Sequence, residues 1–177
     1  MNLKSTIQKI QTLILKLGSH DGRIRYYRKQ GMKIGQNCFF ATMSFSTEPY
    51  LIEIGDHVGI AGGTDFITHD GGIWCFRNEI PYADIFGKIK IGNNVVIGSN
   101  CTILPNTTIG NNSIVGAGSV VRGKFPDNSV ILGNPAKVVS NINIQKFLYL
   151  HNPGLLTTKN MPIKMKTKII KEHFGIK

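Results

Sequence analysis

The chain has 177 residues, 41% of them hydrophobic, with 20 glycines and a formal net charge of +11. That length fits one ordinary domain, the glycine content argues against a helical bundle, and no apolar stretch reaches the length of a membrane-spanning helix. The charge is confined to the ends. Residues 1–30 carry seven Lys or Arg against Asp21 alone, 140–177 carry seven Lys against Glu172 alone, and 31–139 carry seven basic against eight acidic residues.

Leu3, Ile7, Ile10, Ile14 and Leu17 alternate spacings of four and three, which predicts an amphipathic helix over 3–17. Gly18 ends it, and Ile24, Tyr26 and Tyr27 open a short basic lead-in to the next region. Residues 1–30 are thus read as a helix and lead-in peripheral to the main fold. No secretory cleavage pattern follows Leu13-Ile14-Leu15.

From residue 31 to 139 a six-residue beat takes over. Ile91-Gly92, Ile97-Gly98, Ile103-Leu104, Ile109-Gly110, Val115-Gly116 and Val121-Arg122 each open a hexad with an aliphatic residue, and four of the six follow it with glycine. A period of six fits neither a helix nor an amphipathic strand. It predicts an all-β solenoid, a β-helix whose coil has three flat sides of one hexad each. Residues 18 apart should then stack: Ile91 on Ile109, Ile97 on Val115, Ile103 on Val121. The pairs Asn93-Asn94 and Asn111-Asn112 suit left-handed corners. Upstream the beat runs through Ile34, Phe40, Ile54, Ile60 and Phe66, with a two-residue slip around Ser46 to Tyr50 that predicts a bulge. Cys38 and Cys101 take small inward positions. With an odd count and no metal-ligand spacing, the cysteines read as reduced thiols in a cytoplasmic protein.

The beat breaks once in earnest, over an insertion at about 70–88 that holds Trp74, Arg77, Tyr82, Asp84 and Phe86. A long excursion from a regular scaffold points to function. Residues 140–177 read as a basic tail with helical pieces interrupted at Pro153 and Pro162, capping an end of the coil. The basic flanks suit weak contact with a membrane surface, peripheral to the cytoplasmic side. No nucleic-acid motif accompanies them, so no nucleic-acid partner is expected.

The hexads, the segment His69-Asp70-Gly71-Gly72, and the ending Gly133-Asn134-Pro135-Ala136-Lys137-Val138 together resemble the hexapeptide-repeat acyltransferases. Within them the likeness is greatest to sugar and polysaccharide O-acetyltransferases related to the maltose and galactoside enzymes, and it covers about 24–140. The resemblance implies a left-handed parallel β-helix of hexapeptide repeats, a homotrimer with sites in the clefts between subunits, and acetyl-CoA along the coils. It matches His69 to the catalytic histidine. Ser99 and Ala117 match positions whose backbone lines the pantetheine arm. Lys137 matches a basic position near the nucleotide phosphates. Arg122 stands where relatives carry a small polar residue, and Lys124 is a neighbouring cation that could assist.

A hydroxyl attacking a thioester needs a base to take its proton, and an imidazole titrates in the working range. His69, at the root of the insertion, is therefore the expected general base, with direct attack and no covalent intermediate. Trp74, Arg77 and Asp70 are the candidate acceptor contacts. Glu53, Asp56, Asp65 and Asp84 are the carboxylates considered for fixing the His69 tautomer, and His57, in a corner sequence, reads as structural. The expected function is O-acetylation of a sugar or surface-polysaccharide precursor. N-acetylation of an amino sugar, free or nucleotide-linked, is the nearest alternative, and a scaffold acting through its basic flanks is the non-enzymatic one. No metal is expected: only His57 and His69 lie in the solenoid, short of the three histidines that a zinc site of the trimeric carbonic anhydrase kind needs.

Overall fold

A computed structural model describes residues 18–177. The helix expected at 3–17 lies outside the described residues. Where the sequence suggested an irregular lead-in there is a helix, α1 (His20–Lys29). Ser19 caps it, its hydroxyl accepting from Gly22 N, and Asp21 and Arg28-Lys29 sit at the ends that suit their charges. Its short length and polar composition concealed it from a search for an apolar stripe.

The rest, up to Asn141, is the parallel solenoid that the hexads predict. Coil 1 holds β1 (Lys33–Ile34), β2 (Phe39–Phe40) and β3 (Ser44–Phe45). Coil 2 holds β4 (Ile52–Ile54), β5 (Gly59–Ile60) and β6 (Asp65–Phe66), and coil 3 holds β7 (Ile89–Ile91), β8 (Val96–Ile97) and β9 (Thr102–Ile103). Coil 4 holds β10 (Thr107–Ile109), β11 (Ile114–Val115) and β12 (Val120–Val121). Coil 5 has β13 (Lys124–Phe125) and β14 (Ser129–Gly133), and β15 (Ala136–Asn141) folds back antiparallel on β14. The first sheet is β1-β4-β7-β10-β13, the second β15-β14-β11-β8-β5-β2 and the third β12-β9-β6-β3.

Register follows the expected stacking. Ile91 pairs with Ile109, Ile97 with Val115 and Ile103 with Val121. All six are at most 1% exposed, so each aliphatic column is fully dry. Full burial of one such side chain is worth roughly 1.5–3 kcal/mol, and repetition over the coils supplies the stability that a single two-residue strand lacks. In the first two coils the columns turn aromatic: Phe40 and Phe45 of coil 1 and Phe66 of coil 2 pack ring against ring, and Tyr27 of α1 covers them at 4.7 Å from Phe45. The Tyr27 hydroxyl donates to Met43 O, and burial, helped by Tyr26, raises its pKa to about 12. Arg28 donates to the Ile34 and Gly35 carbonyls, so α1 closes the open end of the coil. Of the two thiols expected inside, Cys101 is buried. Cys38 is half-exposed, because the first coil has no coil beneath it, and its Sγ donates to Gly55 O.

The corner between the first and second sheets is regular on every coil. Asn37, His57, Asn94, Asn112 and Asn128 occupy it with φ between 52° and 64°. Beside them Asp56, Asn93, Asn111 and Asp127 each accept, through Oδ1, a backbone N–H from the coil before. Gly92 lies under this ladder, and a Cβ there would come within 2.8 Å of Asn111 N. That contact explains the glycine after the aliphatic residue.

Asn143–Lys177 forms a second compact unit, with α2 (Ile142–Leu150) leading into it and α3 (Ile163–His173) within it. Neither helix has a buried residue.

Candidate functional site

The corner from the third sheet to the first is where the coil is irregular, and the chemistry gathers there. Coil 1 makes this turn through Ser46–Leu51, where the slip in the beat becomes a short 3-10 turn at Pro49–Leu51. Coil 2 makes it through the long insertion. Its root is pinned by Asp70 N donating to Ile85 O and Gly87 N donating to Thr68 O, which sets His69 opposite Phe86. Stacking of coil 2 on coil 1 then brings His69 onto Glu48.

His69 Nδ1 lies 3.0 Å from Glu48 Oε2 and 3.4 Å from Ser46 Oγ. Glu48 is well held: Thr68 Oγ1 donates to Oε2 at 2.6 Å and Thr47 Oγ1 to Oε1 at 2.6 Å, with Ser46 Oγ at 3.2 Å. Partial burial pushes its pKa up. The hydroxyls of Thr47 and Thr68, the His69 ring and the Ser46 hydroxyl outweigh that and hold it at about 2, against an ordinary 4.5. An ionised carboxylate only accepts hydrogen bonds, so in neutral His69 the proton belongs on Nδ1. Nε2 is then left as an unprotonated acceptor on a side chain that is 46% exposed.

None of the four carboxylates weighed from the sequence partners His69. Glu53 and Asp65 sit outward on exposed strand positions, Asp56 belongs to the corner ladder, and Asp84 pairs with Arg77 at 2.6 Å. Glu48 was missed although its signal was present: it lies inside the slip in the beat. His57 is structural, its Nδ1 2.9 Å from Asn94 Oδ1 in the ladder.

A cavity of about 330 Å³ opens beside the pair, lined by Glu48, His69, Asp70, Trp74, Arg77 and Phe86 among others. It gathers His69, Asp70, Trp74 and Arg77 in one place. Their environments differ. Trp74, in the 3-10 turn Gly71–Phe76, is 77% exposed and offers an open ring face. Arg77 is committed within the insertion, to Asp84 and to the Pro81 and Ala83 carbonyls, so it holds the loop's shape. Asp70 accepts from Gly72 N at 3.0 Å, and its other oxygen lies 3.7 Å from an Arg122 guanidinium nitrogen. Arg122 occupies the same corner two coils on, so this pair ties the insertion to coil 4.

Ser99 and Ala117 are elsewhere, at the corner between the second and third sheets. They are exposed and stacked on successive coils, with Gly118 N donating to Ser99 O at 2.8 Å. Lys124 and Lys137 are exposed on β13 and β15. Among the described residues, no three His, Cys, Asp or Glu side chains group as metal ligands.

Residues 88–123 match the family described as bacterial transferase hexapeptide, six repeats. With five parallel coils and a histidine–carboxylate pair at a cavity, the chain belongs to the hexapeptide-repeat acyltransferases. It is 48% identical over 146 residues to protein CapG of Staphylococcus aureus, which spans 81% of this chain and 85% of that protein. A maltose O-acetyltransferase from Clostridium difficile 630 superposes with a TM-score of 0.58 at 27% identity, over 76% of this chain and 83% of its own. A hexapeptide-repeat acetyltransferase of Vibrio cholerae O1 biovar eltor, complexed with acetyl-CoA, superposes with a TM-score of 0.53 at 26% identity, over 80% and 90%.

Proposed function

We propose that the chain moves an acetyl group from acetyl-CoA to a hydroxyl of a sugar or surface-polysaccharide precursor, with His69 as general base. The observation that carries this reading is the Glu48–His69 pair at the mouth of a cavity that also presents Trp74. Nε2 takes the hydroxyl proton as the oxygen attacks the thioester carbonyl. The tetrahedral adduct collapses, the carbon–sulfur bond breaks, and the imidazolium returns its proton to the departing sulfur. Glu48 stabilises the imidazolium between these events. Trp74 suits the apolar face of a sugar ring.

Acetyl-CoA fits the remaining residues. The exposed residues Ser99 and Ala117 suit contact with the pantetheine arm, and Arg122, Lys124 and Lys137 offer cations to phosphates. Arg122 shares its charge with Asp70, so its contribution is the most conditional of the three. A homotrimer is supported by the second sheet, whose outward column of Phe39, Gly59, Val96 and Ile114 carries no charge. Phe39 and Val96 are 50% and 54% exposed there, which suits a covered face.

Calorimetric titration with acetyl-CoA tests the reading without knowledge of the acceptor. Saturable binding on the order of micromolar to millimolar, at about one site per chain, is expected. No binding by folded protein would remove acetyl transfer from consideration.

A further inference from the structure

The unit Asn143–Lys177 has an unusual surface. It carries seven lysines and one acidic side chain, Glu172. It also leaves Ile144, Phe147, Leu148, Tyr149 and Leu150 of α2 between 51% and 60% exposed, and Ile163 and Met165 of α3, with Phe174 just past its end, between 56% and 80%. Helices normally bury an apolar stripe; these bury none. In α2, Ile144, Phe147 and Leu148 share a face by their spacing of three and four. In α3, Ile163 and Ile170 share one, while Lys164, Lys168 and Lys171 line up beside it at spacings of four and three.

Charge decides what covers these faces. A second copy of the same unit, again with seven lysines against one acidic side chain, would repel it. An anionic lipid surface matches both features at once. Phosphate headgroups take the lysines, whose long stems reach them from the level of the backbone, while the acyl boundary takes the aromatic and aliphatic side chains. Tyr149, at 52% exposure, has the amphipathic ring favoured at that depth. Among the described residues, no helix is long and apolar enough to cross a bilayer, so the mode is lying on the surface.

We propose that Asn143–Lys177 is a membrane-docking unit that holds the protein on anionic lipid headgroups through the lysines of α3 and the exposed apolar side chains of both helices. The proposal is independent of the acetyl-transfer reading, because vesicle binding needs neither acetyl-CoA nor acceptor.

The test uses the full chain in co-sedimentation with vesicles of phosphatidylcholine alone and of phosphatidylcholine mixed with phosphatidylglycerol. Binding to the mixed vesicles, weakened by salt and absent from the neutral ones, is expected. Lys164→Glu, Lys168→Glu and Lys171→Glu together should weaken it on the order of a hundredfold or more. Phe147→Ser with Leu148→Ser should also release the protein from mixed vesicles, with the circular dichroism of the coil unchanged. Equal binding to both vesicle types would overturn the proposal, as would no binding to either. A fall in oligomer mass with the Phe147/Leu148 pair, at unchanged vesicle binding, would instead assign the apolar face to contact between copies.

Discussion

Two corners of the same coil have opposite characters, and two histidines stand in them. The corner of the first and second sheets repeats one solution: a residue in left-handed backbone on all five coils and, beside it on four of them, a side chain that takes the previous coil's N–H. His57 is one rung, with φ of 55° and an asparagine partner. The corner of the third and first sheets never repeats itself. It carries Glu48 on a lengthened turn, His69 at the root of an insertion, and Arg122 two coils on, reaching back to Asp70. Uniform spacing satisfies the backbone with the same kind of side chain on coil after coil. Broken spacing is where side chains of several coils can converge on a cavity.

Applying one substitution at both corners puts this contrast at risk. His69→Asn should lower acetyl transfer about a hundred- to ten-thousand-fold with little change in melting temperature, since the side chain is the proposed base and is 46% exposed. His57→Asn should leave transfer intact and shift stability by less than about 1 kcal/mol, because asparagine already fills the same rung at Asn94, Asn112 and Asn128. Comparable losses at the two sites would erase the distinction.

A smaller effect concerns acid. The pKa of Glu48 in the folded chain, about 2, lies below its ordinary 4.5. Its ionised form therefore stabilises the fold fully above pH 4.5, and that contribution is lost as pH falls from 4.5 towards 2. Thermal melts of wild type and Glu48→Gln should differ most above that window and converge through it. A gap that stays constant into strong acid would mean the carboxylate is not held as described.

Most of the coil was legible because the repeat writes the same requirement many times. An aliphatic residue every sixth position gives Ile91, Ile97 and Ile103 their columns, and Asn93-Asn94 with Asn111-Asn112 mark the corner that needs left-handed backbone. His69, Trp74 and Asp70 were singled out by the break in that repeat, His69 also by the resemblance, and the three line one cavity. Glu48 was not found, since a carboxylate 21 residues upstream reaches His69 only through the stacking of coil 2 on coil 1. The slip at Ser46–Tyr50 marked the place without naming the residue. α1 escaped because what it buries, Ile24 and Tyr27, is too little to write an apolar stripe. Arg77 was legible as a loop residue, but its commitment to Asp84 and two carbonyls depends on a fold-back within the insertion that no periodicity encodes.

The central claim is that Glu48 fixes the protonation of His69 so that Nε2 faces the cavity as a base. Nitrogen-15 NMR of the histidine side chains reads this directly, with His69→Asn assigning the signal. Neutral His69 should carry its proton on Nδ1 with Nε2 unprotonated, and Glu48→Gln should mix the two tautomers. A His69 protonated on Nε2 in the wild-type protein would contradict the account.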